Sequence, residues 1–472
     1  MHINIYTLSR VWIFLVAASL FTACDDSFLE IVPEDAGSLE EFWQTSSDVQ
    51  EALNGAYDVM RSGNFLGGQG QFLSELFADH ISQLTGLSGG DWAAHYTRTT
   101  DIFLGTTRTF WSDGYKVIGR VNFVLQNMDL IEGISDAEKA RITAECKFLR
   151  GLAHFELVRL FGQPYGYTAD NSHLGVPIRL NYSSDIVPRA TVGAVYEQVI
   201  GDLSEAAASL PTDNNGYATS WAAKAYLAKV YFQMNDFTNA YAQSNDVLSN
   251  GGFQFDTSLV RRFSTEGTSE AVFELASSDF IADNSGGWIS ANYQPNPGNN
   301  NVPNITLSSY VYNLATQDVA DKRGQQWYEI DESGSEPLYL STKFVLQEAM
   351  NVPLAHVTEL KLIRAESAAE LGSNLEQAEQ DLSEIRTRAG LTPVSSGTPA
   401  SSLIAICRAE RELEMVSEGN RLHELKRRAV RGENSLRIRN APWDCAGLVC
   451  QIPDAELKGN LDLIPNASGG CN

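Results

Sequence analysis

The residues of this chain best equipped to touch a ligand are aromatic, and they sit in polar stretches without periodicity. "GLSGGDWAAHYTRTT", residues 86–100, carries Asp91, Trp92, Tyr96 and Arg98. "DNSGGWISANYQPN", from residue 283, carries Asn284, Trp288, Asn292 and Tyr293. Indole and phenol rings are rigid, amphipathic plates on which the C–H face of a sugar can pack. Neighbouring Asn, Asp and Arg groups supply the planar acceptors and forks that pair with vicinal hydroxyls. Trp92, Tyr96, Trp288 and Tyr293, with Asp91, Arg98 and Asn292, are therefore the candidate ligand-binding residues.

Other patterns carry weaker chemistry. Gly86 to Gly90, "GLSGG", matches the Gly-x-Ser-x-Gly nucleophile elbow, with His80 and His95 close in sequence. That elbow needs a buried strand before the turn and a helix after it. The preceding "FLSELFADHISQLTG" reads instead as helix or irregular chain, so a serine hydrolase using Ser88 is a remote alternative and no enzyme is expected. Glu410, Arg411, Glu414, Glu418 and Arg421 recur at three- and four-residue steps, the spacing of an ion network on a helix surface. Asp321 and Arg323 read as a structural ion pair, and Trp327 beside them as a residue that could rim a site. Trp43, Trp111 and Tyr115 lie in helical patterns and read as core. No Cys-x-x-Cys or Cys/His spacing suited to zinc is present. Calcium through Asp91 or Asp283 has no coordination pattern behind it, so neither a metal nor a cofactor is expected.

Helical periodicity dominates the elements that must hold these stretches. "TSSD", residues 45–48, is a helix-start signal, followed by Val49, Leu53, Ala56, Tyr57 and Met60 at helical steps. Residues 137–162 are apolar on several sides, as expected of a helix buried between neighbours. Residues 221–250 read as a helix, a turn at Asn235-Asp236 and a second helix, with Leu227, Ala228, Tyr231 and Ala240 at tetratricopeptide spacing. Residues 358–391 repeat that design around Leu371-Gly372. One such pair cannot bury its own apolar face, so several should stack. The expected fold is mainly α: a tetratricopeptide-like scaffold with a loop-rich, irregular ligand-binding lobe. "NFLGGQGQFL" joins the two aromatic stretches as an ordered binding loop, because these segments keep the rings that disordered chain lacks.

Arg10 precedes an uncharged apolar run, Val11–Phe21, then Thr22, Ala23 and Cys24. A membrane span needs about 20 residues, so this shorter run reads as a secretory signal. Cys24 at the cleavage point reads as the lipidated first residue of a bacterial lipoprotein, with Phe21 where Leu is usual. Residues 1–23 are thus the expected signal, 24–38 an acylated tether, and 39–472 one domain with halves near 39–255 and 256–472. With 34 basic and 59 acidic residues the formal charge is −25. Nucleic acid, which needs clustered Lys and Arg, is excluded as an expected partner. Of the other cysteines, Cys146 and Cys407 read as buried apolar residues. A disulfide between Cys445 and Cys450, or one to Cys471, is expected in an oxidising compartment.

In this order along the chain, "CDDSFLE", "RVNFVLQNMD", "AECKFLRGLAHFELVRLFG", "GVPI", "DKRGQQW", "STKF", "NVPLAHVTELKLIRAESAAELG", "CRAERELEMVSEGNRLHELKRR" and "QIPDAELKGNLDLIPN" resemble the SusD/RagB family of outer-membrane lipoproteins. The resemblance implies a non-catalytic, lipid-anchored protein of the outer-membrane surface. Such a protein captures oligosaccharides, or in some members peptides, and delivers them to a SusC-like TonB-dependent transporter. It also implies that the repeat helices face the transporter while the loop-rich side holds the ligand.

Overall fold

The computed structural model describes residues 39–82, 90–264, 267–277, 287–295, 302–344 and 350–471. Cys24, the signal and tether segments, Ser88, Asp283 and Asn284 lie outside the described residues. After a short turn of helix, α1 (Leu39–Phe42), the start signal at Thr45 becomes a capping box. The Thr45 hydroxyl accepts from the Asp48 amide, and the Asp48 carboxylate accepts from the Thr45 amide at 2.7 Å. This satisfies orphan donors at the head of α2 (Ser46–Met60), whose Val49, Leu53, Ala56 and Met60 are buried. The first half continues with α3 (Gln69–Phe77), α4 (Asp91–Thr97), α5 (Gly105–Asn127), α6 (Asp136–Phe161), α7 (Val192–Ser209), α8 (Ser220–Gln233) and α9 (Phe237–Asn250). The second half holds β1 (Ala271–Leu275), α10 (Gly287–Tyr293), α11 (Ser309–Thr316), α12 (Lys322–Gln326), β2 (Tyr328–Asp331), β3 (Leu338–Ser341) and β4 (Val352–His356). It ends with α13 (Val357–Leu371), α14 (Leu375–Arg388), α15 (Ala400–Glu414), α16 (Arg421–Ala429), β5 (Arg437–Ile438), β6 (Ala441–Pro442) and α17 (Asp454–Gly459).

The helical pairs read from the sequence stack into one scaffold. α6 packs on α7, α7 on α8, α8 on α9, α9 on α13, and α13 on both α14 and α15. The repeat thus continues across the interruption between residues 250 and 357. Thr219 and Asp236 cap α8 and α9, and Gly372, at φ 64°, ends α13 where the next helix must turn back. α6 and α13 are buried on nearly every side. The strands are short antiparallel pairs, β1 with β4, β2 with β3 and β5 with β6. β1 and β4 pair with an irregular register from Ala271↔His356 to Leu275↔Val352.

The acidic and basic block at residues 410–421 is not on the helix surface that its spacing describes. Glu410, Arg411, Glu414, Glu418 and Arg421 are all buried. α15 ends at Glu414, so Glu418 lies in the following turn and Arg421 opens α16, while Glu410 and Glu414 share a face of α15 that α12, α14 and the turn at Arg261–Phe263 cover. The Glu414 carboxylate receives Arg388 at 2.8 Å and Arg262 and Arg323 at 3.1 Å. Burial pulls its carboxyl upward, but the three guanidiniums outweigh burial and hold it at about 2. Glu418 binds Lys343 at 2.5 Å, Arg262 at 2.9 Å and His356 at 3.1 Å. Asp321 and Arg323 do form the expected ion pair, at 2.7 Å. Trp327 is no rim residue: its ring is buried and its indole N–H donates to the Leu259 carbonyl at 3.1 Å.

Trp43 and Trp111 are core, and Tyr115 is half-buried against Trp111. Trp43 follows α1 rather than sitting in a helix. Cys146 and Cys407 are buried thiols, and the disulfide joins Cys445 to Cys471, leaving Cys450 buried and free.

Candidate functional site

The two aromatic stretches, almost 200 residues apart in the chain, meet. Trp92 sits in the first turn of α4 and Trp288 in the first turn of α10. Their ring centroids lie 5.5 Å apart with planes inclined at 63°. Both indoles rest on Phe72 of α3, at 4.8 and 5.5 Å. Both keep part of their surface in solvent. The stretches around them are not loops throughout: each folds a single seven-residue helix. Helices this short are marginal alone, so tertiary packing holds them: the rings on α3, the buried His95 of α4, and the buried Ile289 and Tyr293 of α10.

The seat of Trp288 depends on two glycines of "SGNFLGG". A methyl group on Gly63 would lie 3.0 Å from the Trp288 side chain. One on Gly68 would lie 2.8 Å from the indole and 2.4 Å from the Gly63 carbonyl oxygen. Only hydrogen fits between this backbone and the ring. Neither Phe72 nor these glycines is singled out by the sequence. The only signal is the glycine-rich "NFLGGQGQFL" itself, whose aperiodic first half forms the turn and whose second half begins α3.

The remaining candidates divide by environment. Tyr96, one turn after Trp92, is half-buried, with the Arg439 guanidinium 4.0 Å from its ring centroid. Arg439 also donates to the Tyr96 carbonyl at 2.5 Å. Asp91 accepts from the Thr106 amide at 2.6 Å, satisfying the head of α5. Arg98, at φ 60°, ends α4 and donates to the Phe77 and Arg439 carbonyls at 3.3 Å. Burial, with Arg439 nearby, pushes its guanidinium down to about 10. Asn292 is buried, donates to the Trp288 carbonyl at 2.7 Å and accepts from Asn304 at 3.0 Å. Tyr293 is 2% exposed, with its ring against Phe344 at 5.2 Å. Tyr293, Asn292 and Arg98 are thus committed to the framework. In α10, Tyr293 follows Trp288 by five residues, about 140° around the helix, and so points into the core, while Asn292, one turn after Trp288, turns back onto the Trp288 carbonyl.

The histidines flanking Ser88 are engaged elsewhere. His80 pairs with Glu75 at 2.8 Å, and His95 bonds the Asp91 carbonyl and the Thr107 hydroxyl. Among the described residues ahead of the elbow-like stretch are α3 and an isolated bridge at Ile81. Among the described residues no His, Cys, Asp or Glu cluster could hold a metal ion, and no helix is long and apolar enough to cross a membrane.

A family profile described as "Starch-binding associating with outer membrane" matches residues 27–232, and one described as "SusD family" matches residues 339–442. SusD-like protein P2 of Formosa agariphila is 26% identical, over 97% of this chain and 98% of its own. SusD-like protein P38 of the same organism is 24% identical, over 89% and 91%. Among solved structures, a SusD superfamily protein from Bacteroides thetaiotaomicron is 26% identical, with a TM-score of 0.79, covering 90% of this chain and 100% of that one. A laminarin-binding SusD-like protein, at 21% identity, shares the fold with a TM-score of 0.72 over 90% of this chain and 100% of its own. With the helical stack and these matches spanning both halves, the chain belongs to the SusD/RagB family.

Proposed function

We propose that this protein is a cell-surface, lipid-anchored glycan-binding protein that captures oligosaccharides and passes them to a SusC-like TonB-dependent transporter. The observation that carries the binding reading is the convergence of Trp92 and Trp288 on Phe72, with both indoles left partly in water. Partly exposed rings gathered into one patch mark an interaction site, and two inclined plates suit the faces of consecutive sugar units. Tyr96 extends the patch along α4. Asp91, Asn292 and Arg98 set the backbone geometry beneath it. The family profile's description supports a place at the outer membrane, and Cys24 supplies the anchor, since acyl chains contribute about 0.8 kcal/mol per buried CH₂. A relative described as starch-binding and a fold neighbour described as laminarin-binding favour sugar over peptide as cargo. Affinity near micromolar, about −8 kcal/mol, would let a transport lid release its cargo.

Affinity gels of neutral and acidic polysaccharides, beside immobilised peptides, test this reading. Retention by a polysaccharide, lost in Trp92→Ala and Trp288→Ala, supports it; retention by peptides alone replaces it with the peptide-binding member. A Cys24→Ser variant should leave the membrane fraction, and its persistence there without a partner would count against the anchor.

A further inference from the structure

A groove runs between the end of α2, strand β1 and the α7–α8 connection. Two cavities of about 550 and 470 Å³ share Tyr217, Phe273 and Glu274 in their walls and so adjoin. That is the size of a small-molecule site. The ring that lines it is fixed. Tyr217 lies against Tyr57 at 5.1 Å, and its hydroxyl donates to Asn54 at 2.9 Å. Tyr57 in turn donates to Glu145 at 2.9 Å and accepts from the Ala218 amide at 3.0 Å. Glu274 is incompletely satisfied. One carboxyl oxygen accepts from Asn351 at 2.7 Å, while the other is shielded from water and has no partner among the described residues. A buried acceptor left idle costs about 1–3 kcal/mol. The terminal torsion of Glu is broad, so a small turn presents that oxygen to a donor in the groove. Burial also holds the Glu274 carboxyl above its usual range.

The groove and the indoles belong to one stretch of chain. Tyr57, Asp58 and Arg61 line the groove, and Gly63, two residues on, seats Trp288. We propose that the groove is a second sugar subsite, taking neutral units of a glycan whose neighbouring units lie on Trp92 and Trp288. Tyr217 offers the plate and Glu274 the acceptor for a hydroxyl. Carboxylates of Asp58, Asp213 and Glu274 in the walls, against the single guanidinium of Arg61, oppose a uronate or sulfate. The inference rests on the glycan-binding reading above.

The test separates the two. Gels of soluble starch, laminarin, xylan and mannan choose the backbone, and its trisaccharide and heptasaccharide are titrated by calorimetry against the full chain. The heptasaccharide should bind about tenfold tighter than the trisaccharide, a gain of about 1.4 kcal/mol. Tyr217→Ala and Glu274→Gln should erase that gain and leave trisaccharide affinity unchanged, whereas Trp288→Ala weakens both. Glu274→Gln is nearly isosteric, so it keeps the test informative if Tyr217→Ala misfolds. A length advantage that survives in Glu274→Gln, or no length advantage at all, overturns the subsite and leaves the indole patch standing. Retention by none of the four polysaccharides overturns both.

Discussion

The indole patch and the buried ion network are built from opposite materials and obey opposite rules. The patch is apolar side chains held partly in water; the network is charge held away from it. Burying ions costs several kcal/mol each unless geometry and hydrogen bonds compensate, and here Glu414 has three guanidiniums and Glu418 two cations and an imidazole. These bonds tie α12, α14, α15 and β4 together. Leaving rings in water forgoes about 25 cal/mol per Å² of apolar surface, a loss that a ligand can recover. One region therefore spends its chemistry on a unique fold, and the other withholds it for binding.

That contrast can be broken first in the network. Glu414→Ala leaves three buried guanidiniums undercompensated and should destabilise the fold by about 3–5 kcal/mol, read by chemical denaturation. If it unfolds near wild type, the network is not what holds these elements. Next comes the disulfide, which links Cys445 to Cys471. With a sequence separation of 26 between its ends, its loss in Cys471→Ser should cost about 3 kcal/mol. Trp288→Ala sharpens the comparison from the other side: glycan affinity should fall at least about tenfold, or 1.4 kcal/mol, in calorimetry, with only a small drop in melting temperature. A large melting drop with unchanged affinity would make the indole a packing residue.

A further effect, set apart by its pH dependence, lies at the seam between the two regions. His80 faces Glu75 at 2.8 Å and Glu412 at 3.6 Å, with Arg421 opposing. Burial alone would depress the imidazole, but the two carboxylates outweigh it and lift it to about 9 from 6.5. A raised value stabilises the fold fully below the unfolded value and loses that contribution as pH rises through the folded one. His80→Gln should therefore cost about 1–3 kcal/mol near pH 6, and the difference from wild type should shrink as pH passes about 9. A pH-independent difference would mean that the imidazole acts by shape alone.

How much of this was legible depended on the range of the interaction. Start and stop signals act over one turn, so Thr45 and Gly372 marked their helices correctly. The repeat pairs at 221–250 and 358–391 were legible because small and aromatic residues recur at fixed steps. The aromatic stretches stood out by composition, yet their short helices did not, since those depend on tertiary packing. Spacing could place Glu410 and Glu414 on one helical face but could not say what covers it, nor that the helix stops before Glu418.

The amino-acid order by itself determined a helical-repeat scaffold, an acidic chain, and the two stretches in which ligand-facing rings would be found. Only the tertiary structure decided which rings face water. It brought Trp92 to Trp288 over Phe72, turned Tyr293, Asn292 and Arg98 inward, and enclosed the charged face of α15. The physical reason is that exposure belongs to the whole packed surface: a side chain's environment is set by residues tens or hundreds of positions away, which no local pattern encodes.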